Sequence, residues 1–100
     1  MKALTWDQAE EYASWFRCLA DATRVRILSF VAGSDRAVTV GEIVEADGRS
    51  QSTVSKHLAL LADDRFVFCE PDGVRTLVRA NDSCMTALPE AAATIMGVPT

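Results

Sequence analysis

Residues 49–61 read RSQSTVSKHLALL. At helical spacing Val54, Leu58 and Leu61 share one stripe, while Gln51, Ser52 and Ser55 face the other way with Lys56 beside them. Gln pairs bidentately with adenine, Ser serves several bases, and Lys suits guanine or phosphate. A helix carrying that face can read base edges in a duplex, or it can be an ordinary solvated surface. The second reactive set is sulfur: Cys18, Cys69 and Cys84. Thiolates select soft ions, among them arsenite, antimonite, mercuric, cadmium and cuprous ions. The count is odd and the spacing matches no C-x-x-C knuckle. The plain alternative is that each cysteine packs as a small hydrophobe. His57, the one histidine, either touches phosphate or packs at the helix edge.

These groups need elements to position them. The pattern from Trp6 to Ala20 is helical but apolar on more than one side, through Trp6, Ala9, Tyr12, Ala13, Trp15, Phe16, Cys18 and Leu19. A helix with one core-facing stripe needs fewer. Asp21 is a good N-cap for a second helix, which packs through Val25, Leu28 and Ala32 with Ile27 and Val31 beside them and closes at Gly33. A loop, GSDRA, follows. Thr39 to Glu42 has the T-x-x-E form of a capping box, opening a short helix that stops at Asp47-Gly48. Ser50 caps the next. Two short helices across a tight Gly-containing turn form a helix-turn-helix over 39–62. FVFCE and VRTLVRA are β-rich runs separated by Pro71-Asp72-Gly73, a turn signal, and predict a hairpin over 66–79, placed as a wing. The tail from 81 to 96 is helical and apolar nearly all round, with Asn81 or Asp82 as its cap and Pro89 as a kink or restart.

The expected architecture is mainly α with a small β-hairpin: one winged helix-turn-helix domain over residues 1–100. Helices 6–19 and 81–96, apolar on two sides, predict a homodimer built from the first and last helices. The 100 residues carry a net charge of -4, which describes the average field and not one face. Acids concentrate in the first helix and between Glu42 and Asp47, whereas the candidate recognition helix has none before Asp63. A locally basic face on an acidic body is the expectation, with strong salt dependence. Arg24 and Arg26 are read as structural, paired with nearby acids. No apolar run is long enough for a membrane helix and no apolar stretch precedes the first acids, so no secretion signal is expected and the compartment is read as cytoplasmic, with reduced thiols. Neither a glycine-rich phosphate loop nor H-E-x-x-H occurs, and the histidine has no evident nucleophile partner, so an enzyme is not expected.

The stretches WFRCLADATRVRIL, GEIVEA and SQSTVSKHLALL, the hairpin, and LPEAAATIMG together resemble the ArsR/SmtB family of bacterial metal-responsive repressors, over nearly the whole chain. The most telling are Leu19-Ala20-Asp21-Ala22-Thr23-Arg24, similar to the family's L-A-D-P-T-R with Ala in place of Pro, and Ser52-Thr53-Val54-Ser55-Lys56-His57-Leu58. The tail is most similar to actinobacterial members. The resemblance implies a homodimeric transcriptional repressor that sits on double-stranded operator DNA and leaves when a metal or metalloid binds. Its recognition helix maps onto Ser50 to Ala62, which assigns DNA contact to Gln51, Ser52, Thr53, Ser55, Lys56 and His57. Arg49 adds a phosphate contact. Arg75, past the hairpin turn, lies near the backbone or minor groove, or is a solvated strand charge.

Two familiar sensing sites of the family are missing. The segment Gly41 to Glu45 has no cysteine pair, and the last helix has no histidine and carboxylate set. Sulfur remains. Cys18 ends the first helix and Cys84 begins the last, so packing of those helices brings their thiols within reach, in one subunit or across the two-fold. Cys69 would have to swing in as a third ligand, and a three-thiolate set suits arsenite best. Two alternatives stay open: a redox-responsive thiol repressor of the same fold, and a winged-helix module that binds protein rather than DNA.

Overall fold

Side-chain caps start four of the five helices in the computed structural model, which describes residues 3–98, with Met85 by its backbone alone. Thr5 and Gln8 form a capping box on α1 (Trp6–Cys18). The Asp21 carboxylate accepts from the Thr23 and Arg24 amides at 2.9 and 3.1 Å and opens α2 (Ala22–Ala32). The Thr39–Glu42 box opens α3 (Val40–Asp47), which ends on Gly48 at φ 83°. Such a left-handed residue costs least as glycine. Ser50 caps α4 (Gln51–Asp63). The expected cap of α5 (Cys84–Ile95) is corrected: Ser83 stands at the N-cap and makes no side-chain capping bond. Asn81 serves a turn instead, its Oδ1 accepting from the Ser83 amide at 3.1 Å, so the helix starts later than residue 81. It runs through Pro89 without restarting.

The β structure is larger than a hairpin. β1 (Val38–Thr39), β2 (Val67–Asp72) and β3 (Arg75–Ala80) form an antiparallel sheet in the order β1-β3-β2. β1 carries no strand pattern of its own, because it is two residues long and ends on the cap of α3. The wing turn is Gly73-Val74 and not Pro71-Asp72-Gly73, since Asp72 pairs with Arg75 and Pro71 with Thr76. Gly73 at φ 64° supplies the positive angle that two-residue hairpin loops demand. Pro71 is tolerated inside β2 because that strand is the sheet's edge, where a missing donor spoils no central ladder.

The core gathers Ile27 and Val31 from α2, Val38 from β1, Ile43 from α3, Val54, Leu58 and Leu61 from α4, Phe66 and Val67 at the start of the wing, and Val78 from β3. On α2 the buried pair is Ile27 and Val31, while Val25 is exposed. The expected Val25-led stripe is therefore displaced. The cause is Arg24. Its Nε donates to the Cys18 carbonyl at 2.6 Å and its Nη1 lies 3.2 Å from His57 Nδ1, with Asp21 at 3.8 Å. One guanidinium thus ties the end of α1 and the start of α2 to the middle of α4, and turns α2 so that the face bearing Arg24, Ile27 and Val31 points inward.

Two outcomes test this frame. Arg24→Ala should cost about 1–3 kcal/mol by urea unfolding, because it leaves buried partners unsatisfied; Arg24→Lys should recover only part of that, lacking the planar fork. A loss within about 0.5 kcal/mol, ordinary for a surface change, would refute the lock. Glu42 is held down to about 2 from 4.5, first by Arg36 at 2.6 Å and then by the Thr39 amide. Its folded pKa is depressed, so its stabilisation is full above pH 4.5 and fades as pH falls towards 2. Thermal melts followed by circular dichroism should show a steeper acid decline for the natural chain than for Glu42→Gln.

Candidate nucleic-acid interface

α4 buries Val54, Leu58 and Leu61 almost completely and leaves Gln51, Ser52, Ser55 and Lys56 exposed on its other side. Among the described residues, Gln51, Ser55 and Lys56 make no side-chain hydrogen bond or ion pair, so their polar atoms face solvent. Ser52 and Thr53 differ. Ser50 Oγ lies 3.2 Å from Ser52 Oγ, donates to Thr53 Oγ1 at 3.0 Å and accepts from the Thr53 amide at 3.3 Å. Half-buried Thr53 is thus partly used by the cap. His57, also half-buried, packs at the helix edge against Arg24. Arg75 sits at the wing tip with its Nη2 2.7 Å from Asp72, beside fully exposed Val74. On the wing's other strand positions Arg79 lies 4.6 Å over the Phe68 ring and 3.6 Å from Glu70.

Both arginines near the turn of the helix-turn-helix share one carboxylate. Arg26 Nη1 lies 3.3 Å from Asp47 Oδ1, and Arg49 Nε lies 3.5 Å from Asp47 Oδ2. Arg26 is therefore paired, as expected of it, yet its side chain stays mostly exposed.

The other end of α4 is where sulfur gathers. Phe66 N–H donates to the Leu61 carbonyl and Arg65 N–H to the Ala62 carbonyl, the two bonds of a Schellman turn. Arg65 takes the left-handed position at φ 62°, where glycine is usual; a side chain there costs about 1–2 kcal/mol. The turn is clamped from outside. Asn81 Nδ2 donates to the Arg65 carbonyl at 2.8 Å, the Asn81 amide donates to the Phe66 carbonyl at 2.9 Å, and the Cys84 thiol donates to the Arg65 carbonyl at 3.5 Å. Cys18 Sγ donates to the Leu60 carbonyl at 3.7 Å. Asn81 is thus a positioning residue that reading the sequence missed. Its one signal, an Asn at the wing's end, reads equally as a helix cap.

Cys18 and Cys84 therefore pack at the same end of α4. Cys84 also lines a cleft of about 380 Å³ with Trp15, Phe66 and Leu88. Cys69 sits apart on β2, opposite Val78 and open to solvent. Among the described residues no three His, Cys, Asp or Glu side chains come together as a metal centre. The three thiols do not form one set within the protomer. Burial pushes all three thiols up, helped at Cys18 by the Asp64 charge, so each holds its proton at neutral pH and can donate.

Residues 21–67 match the family model for bacterial regulatory proteins of the arsR family. The chain is 40% identical over 70 residues to a probable mercury resistance operon repressor of Streptomyces lividans, covering 70% of this chain and 54% of that protein. It is 44% identical over 64 residues to the HTH-type transcriptional regulator KmtR of Mycobacterium tuberculosis, covering 64% and 48%. The chain spans about half the length of these curated relatives. Among solved structures it is similar to NolR from Sinorhizobium fredii, with TM-score 0.72, 27% identity, and 99% and 100% of the two chains covered. The homodimeric winged helix-turn-helix DNA-binding domain of Mb0332 from Mycobacterium bovis shares the fold, with TM-score 0.72, 21% identity, and 94% and 89% covered. The family is one of regulatory proteins and not of enzymes. Its signature runs from the cap of α2, through the whole helix-turn-helix, into the first residue of the wing, and this chain, a winged helix-turn-helix protein, belongs to the ArsR family.

Proposed function

We propose that the chain is a homodimeric operator-binding repressor, released when a soft ion engages Cys18 and Cys84. The observation that carries this reading is the arrangement of α4. Its outward face is free to meet base edges, and both thiols donate hydrogen bonds to carbonyls at its C-terminal end. Gln51, Ser52, Ser55 and Lys56 are assigned to bases, Arg49 and Lys56 to phosphate, with Thr53 and Arg75 in support. His57 serves chiefly to hold α4 against Arg24.

The terminal helices argue for the dimer. α1 buries only Cys18 within the chain, and Trp6 is 82% exposed with Phe16 at 39%. Among the described side chains of α5 only Ala91 is buried, while Ile95 is 46% exposed and Met96, at the C-cap, 76%. Apolar surface on that scale marks an interaction site, and the matching domain of Mb0332 is homodimeric.

The donor chemistry fits a thiophilic ion. Cys18 and Cys84 would hold it, and it would supply strong soft-ligand bonding that displaces the thiol protons. The expected arsenite set asked for three thiolates, and the described residues of one protomer bring no such trio together. A two-coordinate soft ion such as mercuric ion needs only two, so it stands beside arsenite as the first to test. Losing the S–H donors at the Leu60 and Arg65 carbonyls loosens the end of α4 and its strained turn. Operator half-sites a helical turn apart tolerate little reorientation of the paired recognition helices, and linkage makes the effect reciprocal. The redox alternative has less support, because sensor thiols combine exposure with a low pKa, whereas desolvation raises all three here, solvent-open Cys69 included.

Fluorescence anisotropy of the reduced protein on labelled DNA from upstream of its own gene tests the reading. Gln51→Ala should lose about 1–3 kcal/mol of discrimination at one base position. Mercuric ion or arsenite should weaken binding about 5–150-fold, and Cys18→Ser or Cys84→Ser should abolish that response while keeping DNA affinity. Binding indifferent to every soft ion would leave a repressor with structural cysteines. Absence of DNA binding would favour a protein-interaction module.

A further inference from the structure

The Asp47 carboxylate is only 5% exposed, and neither of its oxygens has a hydrogen-bond partner among the described residues. It lies instead beneath two guanidiniums, Arg26 Nη1 at 3.3 Å and Arg49 Nε at 3.5 Å, whose side chains are 62% and 53% exposed. These separations exceed the 2.7–2.9 Å or so of a full charge-assisted bond. A buried carboxylate is costly unless cations compensate it, so Asp47 draws both arginines to one point. The arginines are not consumed by it. Each guanidinium has five N–H donors and turns one towards Asp47, which leaves the others for a second anion on the solvent side. Two cations over one anion leave a net positive patch.

The patch has a definite place. Asp47 ends α3, Arg49 precedes the cap of α4 by one residue, and Arg26 comes across from α2. It therefore borders the N-terminal end of the helix whose outward face bears Gln51, Ser52, Ser55 and Lys56. We propose that Arg26 and Arg49 form a clamp for one DNA backbone phosphate in each protomer, with Asp47 as the positioning residue that holds the two guanidiniums side by side. The clamp rests on the reading of this chain as a dimeric DNA binder and adds Arg26, on the helix before the helix-turn-helix, to the contact surface. It also gives a buried acid beside a polyanion a purpose. Without Asp47 the two arginines repel each other and spread.

The test is the salt dependence of operator affinity, measured by fluorescence anisotropy between about 50 and 200 mM salt. Each phosphate contact contributes about 0.9 to the slope of log affinity against log salt. Arg26→Gln and Arg49→Gln should each flatten the slope, and because both share one phosphate the two changes together should flatten it by about 0.9 per protomer, hence about 1.8 per dimer. Arg26→Lys, which keeps the charge, should retain the slope. Asp47→Asn gives the sharpest arm. As a mere acidic neighbour of DNA, Asp47 would repel it, and its neutralisation would tighten binding. As a positioning residue, its neutralisation should weaken binding severalfold and flatten the slope, although the chain gains positive charge. Unfolding midpoints of the same variants keep the comparison among folded proteins, and the exposed arginines give variants that fold even if Asp47→Asn does not. An unchanged slope in Arg26→Gln, or tighter binding by Asp47→Asn, would overturn the clamp while the natural protein still bound its operator. A natural protein that binds no DNA at any salt would overturn the DNA-binding reading and the clamp with it.

Discussion

The structure depends on one demand: α4 must bury a full stripe while leaving its opposite face bare. Val54, Leu58 and Leu61 are at most 3% exposed, and burial of such side chains contributes about 1.5–3 kcal/mol each. The rest of the chain builds a socket for that stripe. α2 supplies Ile27 and Val31, α3 supplies Ile43, and the sheet supplies Val38, Val67 and Val78. None of these elements is long, and the sheet has only three short strands. Their value lies in how firmly they hold α4, because a reading helix that rolled about its axis would exchange its polar face for its apolar one.

Charge is handled locally. The chain is acidic overall, yet Arg24, Arg26, Arg36, Arg49, Arg75 and Arg79 each meet a carboxylate within 4 Å. Exposed pairs of this kind contribute about 0–1 kcal/mol. A phosphate can therefore replace or share such a partner at small cost, and pairing does not disqualify an arginine from DNA contact. Arg24 is the exception. Its donors are committed to a backbone carbonyl and to His57, which makes it part of the frame.

Sulfur and strain meet at the far end of the same helix. The Schellman turn that leads from α4 into the wing puts Arg65 where glycine is usual, and Asn81 and Cys84 hold its carbonyl from the start of the last helical region. Cys18 does the same for Leu60 from α1. Since α1 and α5 carry the exposed apolar surface, the thiols stand between the recognition helix and the faces offered to a second subunit. On the proposed reading, that placement would give a soft ion a short physical route to α4.

Local chemistry made much of this legible in the sequence. The caps at Asp21, Thr39 and Ser50, the stop at Gly48, the α4 stripe and its free face all follow from residues within a few positions of one another, where helix periodicity and capping act. The resemblance in Leu19–Arg24 and Ser52–Leu58 pointed to the right family for the same reason. What escaped was set across the fold. β1 is too short to carry a pattern and exists because β3 lies beside it. Pro71 entered a strand because tertiary pairing left β2 at the edge. Asn81 turned from helix cap into clamp because the α4 turn came within 2.8 Å of it. Val25 lost its place in the core because Arg24 had to reach Cys18 and His57. The sequence by itself determined which stripe of α4 is buried and which residues lie on its free face, since those depend on spacing along one helix. Only the tertiary structure decided what each cysteine touches and which arginines share Asp47, since those depend on segments that meet far apart along the chain.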